Sequence, residues 1–263
     1  MVMDKRNNKY GDNDFKVFTM MIITKTCGYN QKMDRQDTPS QRTTARQRKI
    51  RKVIENRQEG VIVLENIADP HNAGAVWRTA DAFGFQKIYM VYSKEKPINP
   101  KKIGKASSSS ANKWLSFKIF DSIEKCYTEL KKDGFKIYAT VLDKEAKSLQ
   151  STIFNLQSSI FNPQSSRTAV VFGNEHRGLS DEAIKGADEK IYIPMKGMVQ
   201  SLNISVTAGI VMYELDRQRR KNPPLTPPLT GRGKNFSNKN CFTLNKKERE
   251  KLEKEMKQKG EVK

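Results

Sequence analysis

Three stretches of this 263-residue chain combine residue types that can hold an anion, orient a hydroxyl and line a pocket. The first is E-N-I-A-D-P-H-N-A-G-A-V-W-R-T-A-D-A-F-G (65–84). Asn72 is expected to cap a helix there. Gly74 lies four residues before Arg78, which puts both on one face and leaves room beside a guanidinium that is always charged. That arrangement suits an anionic group such as a phosphate. A plain Arg78–Asp81 surface pair accounts for the same residues. Trp77 is bulky and adjacent to Arg78, and is expected to bear on access to it.

The second stretch is V-V-F-G-N-E-H-R-G-L-S (170–180), an apolar run into Gly173, then Asn174, Glu175 and a turn at Gly178. Alone it is an ordinary strand, turn and helix start. The third is M-K-G-M-V-Q-S-L-N-I-S-V-T-A-G (195–209). Pro194 ends a strand before it, Gly197 bends the loop, and Gln200, Ser201 and Asn203 straddle a helix start. One polar side chain is enough to cap a helix, so three around Leu202 are more than capping requires. The usual nucleotide signatures are absent: no G-x-G-x-x-G follows the first strand and no G-x-x-x-x-G-K-[ST] occurs.

These loops need a frame. Apolar runs at 61–65, 87–91, 136–141, 168–173 and 190–194 predict five strands. Helices are expected at Ala73–Phe83, Ile123–Lys132 and Leu202–Arg220, with a polar, small-residue helix at Ser107–Lys113. Strands alternating with helices give an α/β domain over 61–221, with a largely parallel sheet and helices on both faces. Ahead of it, 1–42 reads as a disordered polar extension and 43–60 as a basic amphipathic helix with Ile50, Val53 and Ile54 in phase. Behind it come a Pro-rich linker at 222–243 and a charged helix at 244–263, whose few apolar points (Leu244, Leu252, Met256) fit a solvated helix. Two tandem duplications, I-F-N-L-Q-S-S/I-F-N-P-Q-S-S (153–166) and P-P-L-T/P-P-L-T (223–230), are read as surface insertions.

The formal net charge is +20. Residues 1–60 hold 14 Lys+Arg against 7 Asp+Glu, and 217–263 hold 15 against 5, so the flanks carry +17 of it. A near-neutral body with basic flanks fits a polyanionic partner; solubility with disordered tails is the alternative. Neither flank has the aromatic-aliphatic face of an interfacial helix, and no segment is long enough to span a membrane. Three scattered cysteines and two histidines provide neither disulfide nor metal spacing, which fits a cytoplasmic, metal-free protein.

The three motifs, in this order and at successive strand ends, resemble the SpoU branch of the SPOUT RNA methyltransferases over residues 45–221. The run I-P-M-K-G-M-V-Q-S-L-N-I-S-V is most similar to the members that methylate guanosine 18 of tRNA. The resemblance implies a deep trefoil knot in the C-terminal part of the sheet, S-adenosylmethionine as cofactor, and a homodimer with the active site at the subunit interface. It implies transfer of a methyl group to a ribose 2′-hydroxyl, in tRNA or, as the alternative, in ribosomal RNA. Arg78, Asn72, Glu175, Ser201 and Asn203 match its catalytic positions, and Thr140, Gly173, Ile193, Met198 and Leu202 its cofactor positions. A sulfonium is already activated, so no metal is expected. A non-catalytic RNA-binding protein that retains the fold is the competing class.

Overall fold

A computed structural model describes residues 39–102, 111–143, 145–152, 167–221 and 244–261. The expected extension up to residue 38, the duplicated insertion and the Pro-rich linker lie outside these residues. By packing, the chain divides into Met1–Arg48 and Lys49–Lys263. The described part of the first unit, 39–48, is the opening of helix α1 (Pro39–Glu55).

Among the described residues, the second unit holds seven strands: β1 (Gln58–Glu65), β2 (Phe85–Val91), β3 (Ser116–Phe120), β4 (Lys136–Thr140), β5 (Lys147–Ser148), β6 (Thr168–Phe172) and β7 (Glu189–Tyr192). They form one sheet in the order β3-β2-β1-β6-β4-β7-β5, and every pairing is parallel. Every residue of β1 and β6 is buried, as in a sheet covered on both faces. Alternate residues divide between two cores. Ile62, Leu64, Val170 and Phe172 pack with helices α2 (Pro70–Ala82) and α5 (Ile204–Lys221). Val61, Val63, Ala169 and Val171 pack with α3 (Ile123–Lys132) and α4 (Asp181–Gly186). Cys126 is buried in this second core, and burial pushes its thiol up to about 12, so it stays protonated and unreactive.

Two strands escaped the sequence reading. β3 is an edge strand with mostly exposed residues, and β5 has only two residues. The helix expected at Ser107–Lys113 is described only at its end, as a 3-10 turn over Ala111–Lys113.

The C-terminal helix α6 (Lys246–Glu261) is not solvated on all sides, contrary to expectation. Leu244, Leu252 and Met256 are buried with Ile50 and Ile54 of α1 in a small third core. Leu244 N–H donates to the Arg57 carbonyl (3.2 Å), and Lys87 pairs with Glu248 (2.8 Å). Each stripe is too narrow to stabilise a helix alone, and each supplies the surface that the other buries.

Helix α2 also departs from expectation. Its cap is Asp69, which accepts from His71 N–H (2.8 Å), and Pro70 opens its first turn. Asn72 is thus released from capping. Gly84 ends the helix at φ +81°, where a Cβ would meet the Asn56 carbonyl at 2.6 Å. Trp77 is wholly buried, edge-on to Phe117 at 4.8 Å, and so belongs to the core rather than to an entrance. Asp81 does not pair with Arg78. It accepts from the buried Arg57 guanidinium at 2.5 Å. Removing that carboxylate strands a desolvated charge, so Asp81→Ala is expected to lower unfolding free energy in urea by about 3 kcal/mol, and Asp81→Asn by clearly less.

Candidate active site

The three motifs converge where β1, β4, β6 and β7 end, the position at which open parallel sheets bind ligands. Glu65, the last residue of β1, is buried. It accepts from the backbone N–H (2.9 Å) and hydroxyl (2.6 Å) of Ser180, and Ser180 in turn caps α4. This fixes the second motif against β1. Within it, Gly173 approaches the chain at 178–179 so closely that a Cβ would lie 2.3 Å from Gly178 C and Leu179 N. Asn174 and Gly178 exchange backbone hydrogen bonds (2.9 Å each), and Gly178 turns at φ +67°. Glu175 is projected from this closed loop.

One line of hydrogen bonds then ties the motifs together. Asn203 Nδ2 donates to Asn72 Oδ1 (3.1 Å), and Asn72 Nδ2 donates to Glu175 Oε1 (3.0 Å). Asn203 also closes the start of α5: its Oδ1 accepts from Ser205 N–H (2.8 Å), and its carbonyl from Val206 and Thr207 N–H. A single asparagine therefore does the capping, and Gln200 and Ser201 are left free for another task.

Both of them line a cavity of about 620 Å³, together with Thr140, Gly173, Glu175, Ile193, Leu202 and Asn203. The volume is that of a small-molecule site. Its walls are apolar (Phe172, Ile191, Val211) and its rim polar. Glu175 Oε2 is buried with no hydrogen-bond partner among the described residues. A buried acceptor left open in this way is costly unless a ligand supplies the donor. The Tyr92 phenol is pushed up to about 12, mainly by burial, with the Glu175 charge acting in the same direction, and stays neutral.

Seven of the ten residues expected at the site therefore line one cavity. Asn72 reaches it through Glu175 and Asn203. Met198 does not line the cavity; it is fully exposed in the loop before α5. Arg78 is exposed and has no hydrogen bond or ion pair among the described residues, while Gly74 four residues before it is buried. Helix α5, which packs on α2 with Tyr213 edge-on to Phe83 (6.2 Å), carries an apolar stripe: Val206, Ile210 and Tyr213 are exposed at helical spacing. Sequence reasoning assigned no role to Glu65, or to Asn174 beyond its place in the turn. A carboxylate closing the apolar run V-I-V-L-E was the available signal for the first.

The model of the SpoU rRNA Methylase family matches residues 59–213. The tRNA (guanosine(18)-2′-O)-methyltransferase of Thermus thermophilus is 36% identical over 195 residues, which span 72% of this chain and 93% of the relative. The relative of the same name from Aquifex aeolicus is 35% identical over 184 residues, 70% of this chain and 81% of that one. Among solved structures, the A. aeolicus TrmH/SpoU tRNA modifying enzyme superposes with a TM-score of 0.67 at 31% identity, over 84% of this chain and 98% of that one. The fold is also that of the SpoU methyltransferase AviRb from Streptomyces viridochromogenes in complex with the cofactor AdoMet (TM-score 0.51, 21% identity, 65% and 62% covered).

Proposed function

The chain belongs to the SpoU methylase family, and from that membership we propose that it methylates the ribose 2′-hydroxyl of RNA, with guanosine 18 of tRNA as the target. The observation that carries this reading is the Asn203–Asn72–Glu175 line, which joins all three motifs at one cavity. The T. thermophilus and A. aeolicus relatives, named for that tRNA reaction, support the choice of substrate.

The cavity fits S-adenosylmethionine. Its apolar walls suit an adenine, and Glu175 Oε2, with no partner among the described residues, offers an acceptor. Thr140, Gly173, Ile193 and Leu202 would hold it, and Met198 would contact it only if the loop before α5 closed over the cavity. When bound, the cofactor supplies an electrophilic methyl on a sulfonium. The chain's own residues place the nucleophile and help it lose a proton. Ser201 and Asn203 orient the ribose. The guanidinium of Arg78 is permanently charged and so a poor base. It holds the phosphate next to the target and polarises the hydroxyl, whose proton passes to a phosphate oxygen.

The exposed stripe Val206–Ile210–Tyr213 lies on α5, the helix packed against α2, and supports a homodimer closed on this face. Such a dimer would deliver Arg78 to a shared site. Ile210→Glu is expected to convert the protein from dimer to monomer in light scattering and to abolish most methyl transfer.

The deciding experiment is transfer of label from S-adenosylmethionine to unmodified tRNA and, separately, to ribosomal RNA, with the modified nucleotide mapped. Label at guanosine 18 supports the reading. Label only in ribosomal RNA moves the substrate, and absence of both cofactor binding and label defeats the enzyme reading in favour of a non-catalytic RNA-binding protein.

A further inference from the structure

We propose that the loop Ser93–Lys102 is a preorganised contact for the RNA backbone, with Lys94, Lys96, Lys101 and Lys102 as its phosphate ligands. This rests on the RNA reading above and adds a surface that none of the three motifs contains. All four lysines are exposed, and none has a carboxylate partner among the described residues. The loop's one acid, Glu95, is bound to Arg177 on the cavity rim, so it does not neutralise them.

A loop that served solubility alone would need no fixed shape, and this one is held at both limbs. Asn66 sits in left-handed backbone (φ 52°), which asparagine tolerates better than most residues, and is buried. Its Oδ1 accepts from the backbone N–H groups of Ser93 (3.0 Å), Lys94 (3.0 Å) and Glu95 (3.4 Å), and its Nδ2 donates to Ser93 Oγ (3.1 Å). The Asn66 carbonyl accepts from Asn174 Nδ2 (2.6 Å), so the same residue fixes the loop to the second motif. Further along, Ile98 is buried in the main core, and Asn112 Nδ2 donates to the Pro100 carbonyl (2.8 Å). Asn99 turns the chain by accepting from Lys101 N–H (2.9 Å) and Lys102 N–H (3.0 Å).

The result is four unpaired ammonium groups on a frame locked to the cavity rim. Lysine is a point charge without the planar fork that reads base edges, so the fitting partner is the phosphate backbone, a positioning contact. Each phosphate contact adds about 0.7–0.9 to the slope of log affinity against log salt.

The test compares full-length protein with a variant carrying Lys94→Gln, Lys96→Gln, Lys101→Gln and Lys102→Gln. A control variant removes equal charge from the α3–α4 surface (Lys125→Gln, Lys131→Gln, Lys132→Gln, Lys185→Gln). Binding of an unmodified tRNA transcript is measured across salt concentrations, alongside S-adenosylmethionine affinity and KM for tRNA. The loop variant is expected to raise Kd and KM for tRNA by roughly 10–100-fold at moderate salt and to reduce the salt slope by about 3, with cofactor affinity unchanged. The control is expected to change tRNA affinity by less than about threefold, since distant exposed charges are largely screened. If both variants lose affinity equally, or neither does, while wild-type protein still methylates tRNA, the loop has no special role and the enzyme reading stands. If wild-type protein neither binds nor methylates RNA, the RNA reading fails and takes the loop's role with it.

Discussion

Arg78→Ala is expected to lower the rate of methyl transfer by about 10²–10³ and to leave folding and cofactor affinity intact. The magnitude is that of removing one preorganised group from a charge that develops in the transition state. The selectivity follows from position. Arg78 is exposed, makes no hydrogen bond or ion pair among the described residues and lies outside the cavity lining, so truncating it should cost within about 0.5 kcal/mol of stability. Three readouts separate the roles open to this residue. If Arg78 grips phosphate and polarises the hydroxyl, Arg78→Lys should recover part of the rate, because an ammonium keeps the charge but loses the bidentate fork. A group that acted only as a base would show a rate rising with pH in the wild type and flat in Arg78→Ala. A purely structural residue would lower the melting temperature of Arg78→Ala along with its rate.

The contrast with Asp81 shows how far spacing alone could go. A helical offset of three made an Arg78–Asp81 pair reasonable, and local sequence offers no reason to prefer another partner. The competitor comes from outside the helix. Arg57, at the junction of α1 and β1, is 1% exposed in its side chain and takes the Asp81 carboxylate. A buried guanidinium outbids an exposed one for the same acid, since only the buried one pays desolvation if left alone. The arginine that is free to act is therefore defined by a long-range contact 24 residues back in sequence.

The same logic explains which other parts of the fold were legible. The strands buried on both faces, β1 and β6, are continuous apolar runs and read directly from the sequence. The edge strand β3 has the pattern S-F-K-I-F with three exposed positions and is defined by its ladder to β2. Helix α6 read as solvated because two apolar points in 16 residues, with Leu244 just ahead of them, cannot stabilise it; its partner stripe on α1 lies far away in the chain. In the site, the types of residue were legible and their division of labour was not. Asn72 and Asn203 are both good caps in isolation. The structure gives one cap to Asp69 and the other to Asn203, and Asn72, relieved of that role, becomes the bridge.

Gly173→Ala is expected to be the most damaging small substitution in the cavity wall, with loss of cofactor binding by more than tenfold and of stability by about 2–4 kcal/mol. The added methyl would lie 2.3 Å from the backbone at Gly178 C and Leu179 N, and backbone cannot swing aside as a flexible side chain can. Relief requires opening the Asn174–Gly178 bridge, and that moves Glu175 away from Asn72 and severs the line to Asn203. The defect should therefore reach all three motifs from one methyl group. Two neighbouring glycines serve as controls. Gly178→Ala meets no atom within 4 Å but must hold φ +67°, so about 1–2 kcal/mol is expected with binding largely kept. Gly209→Ala, in α5, places a methyl 3.8 Å from Thr79, an ordinary contact, and a helical alanine should stabilise by about 0.5–1 kcal/mol. Calorimetric titration with S-adenosylmethionine and urea unfolding of the three variants would rank them. Equal cofactor affinity for Gly173→Ala and Gly178→Ala would mean that the loop yields without disturbing Glu175, and that the closed 173–179 turn is a convenience of packing, with no part in forming the cavity.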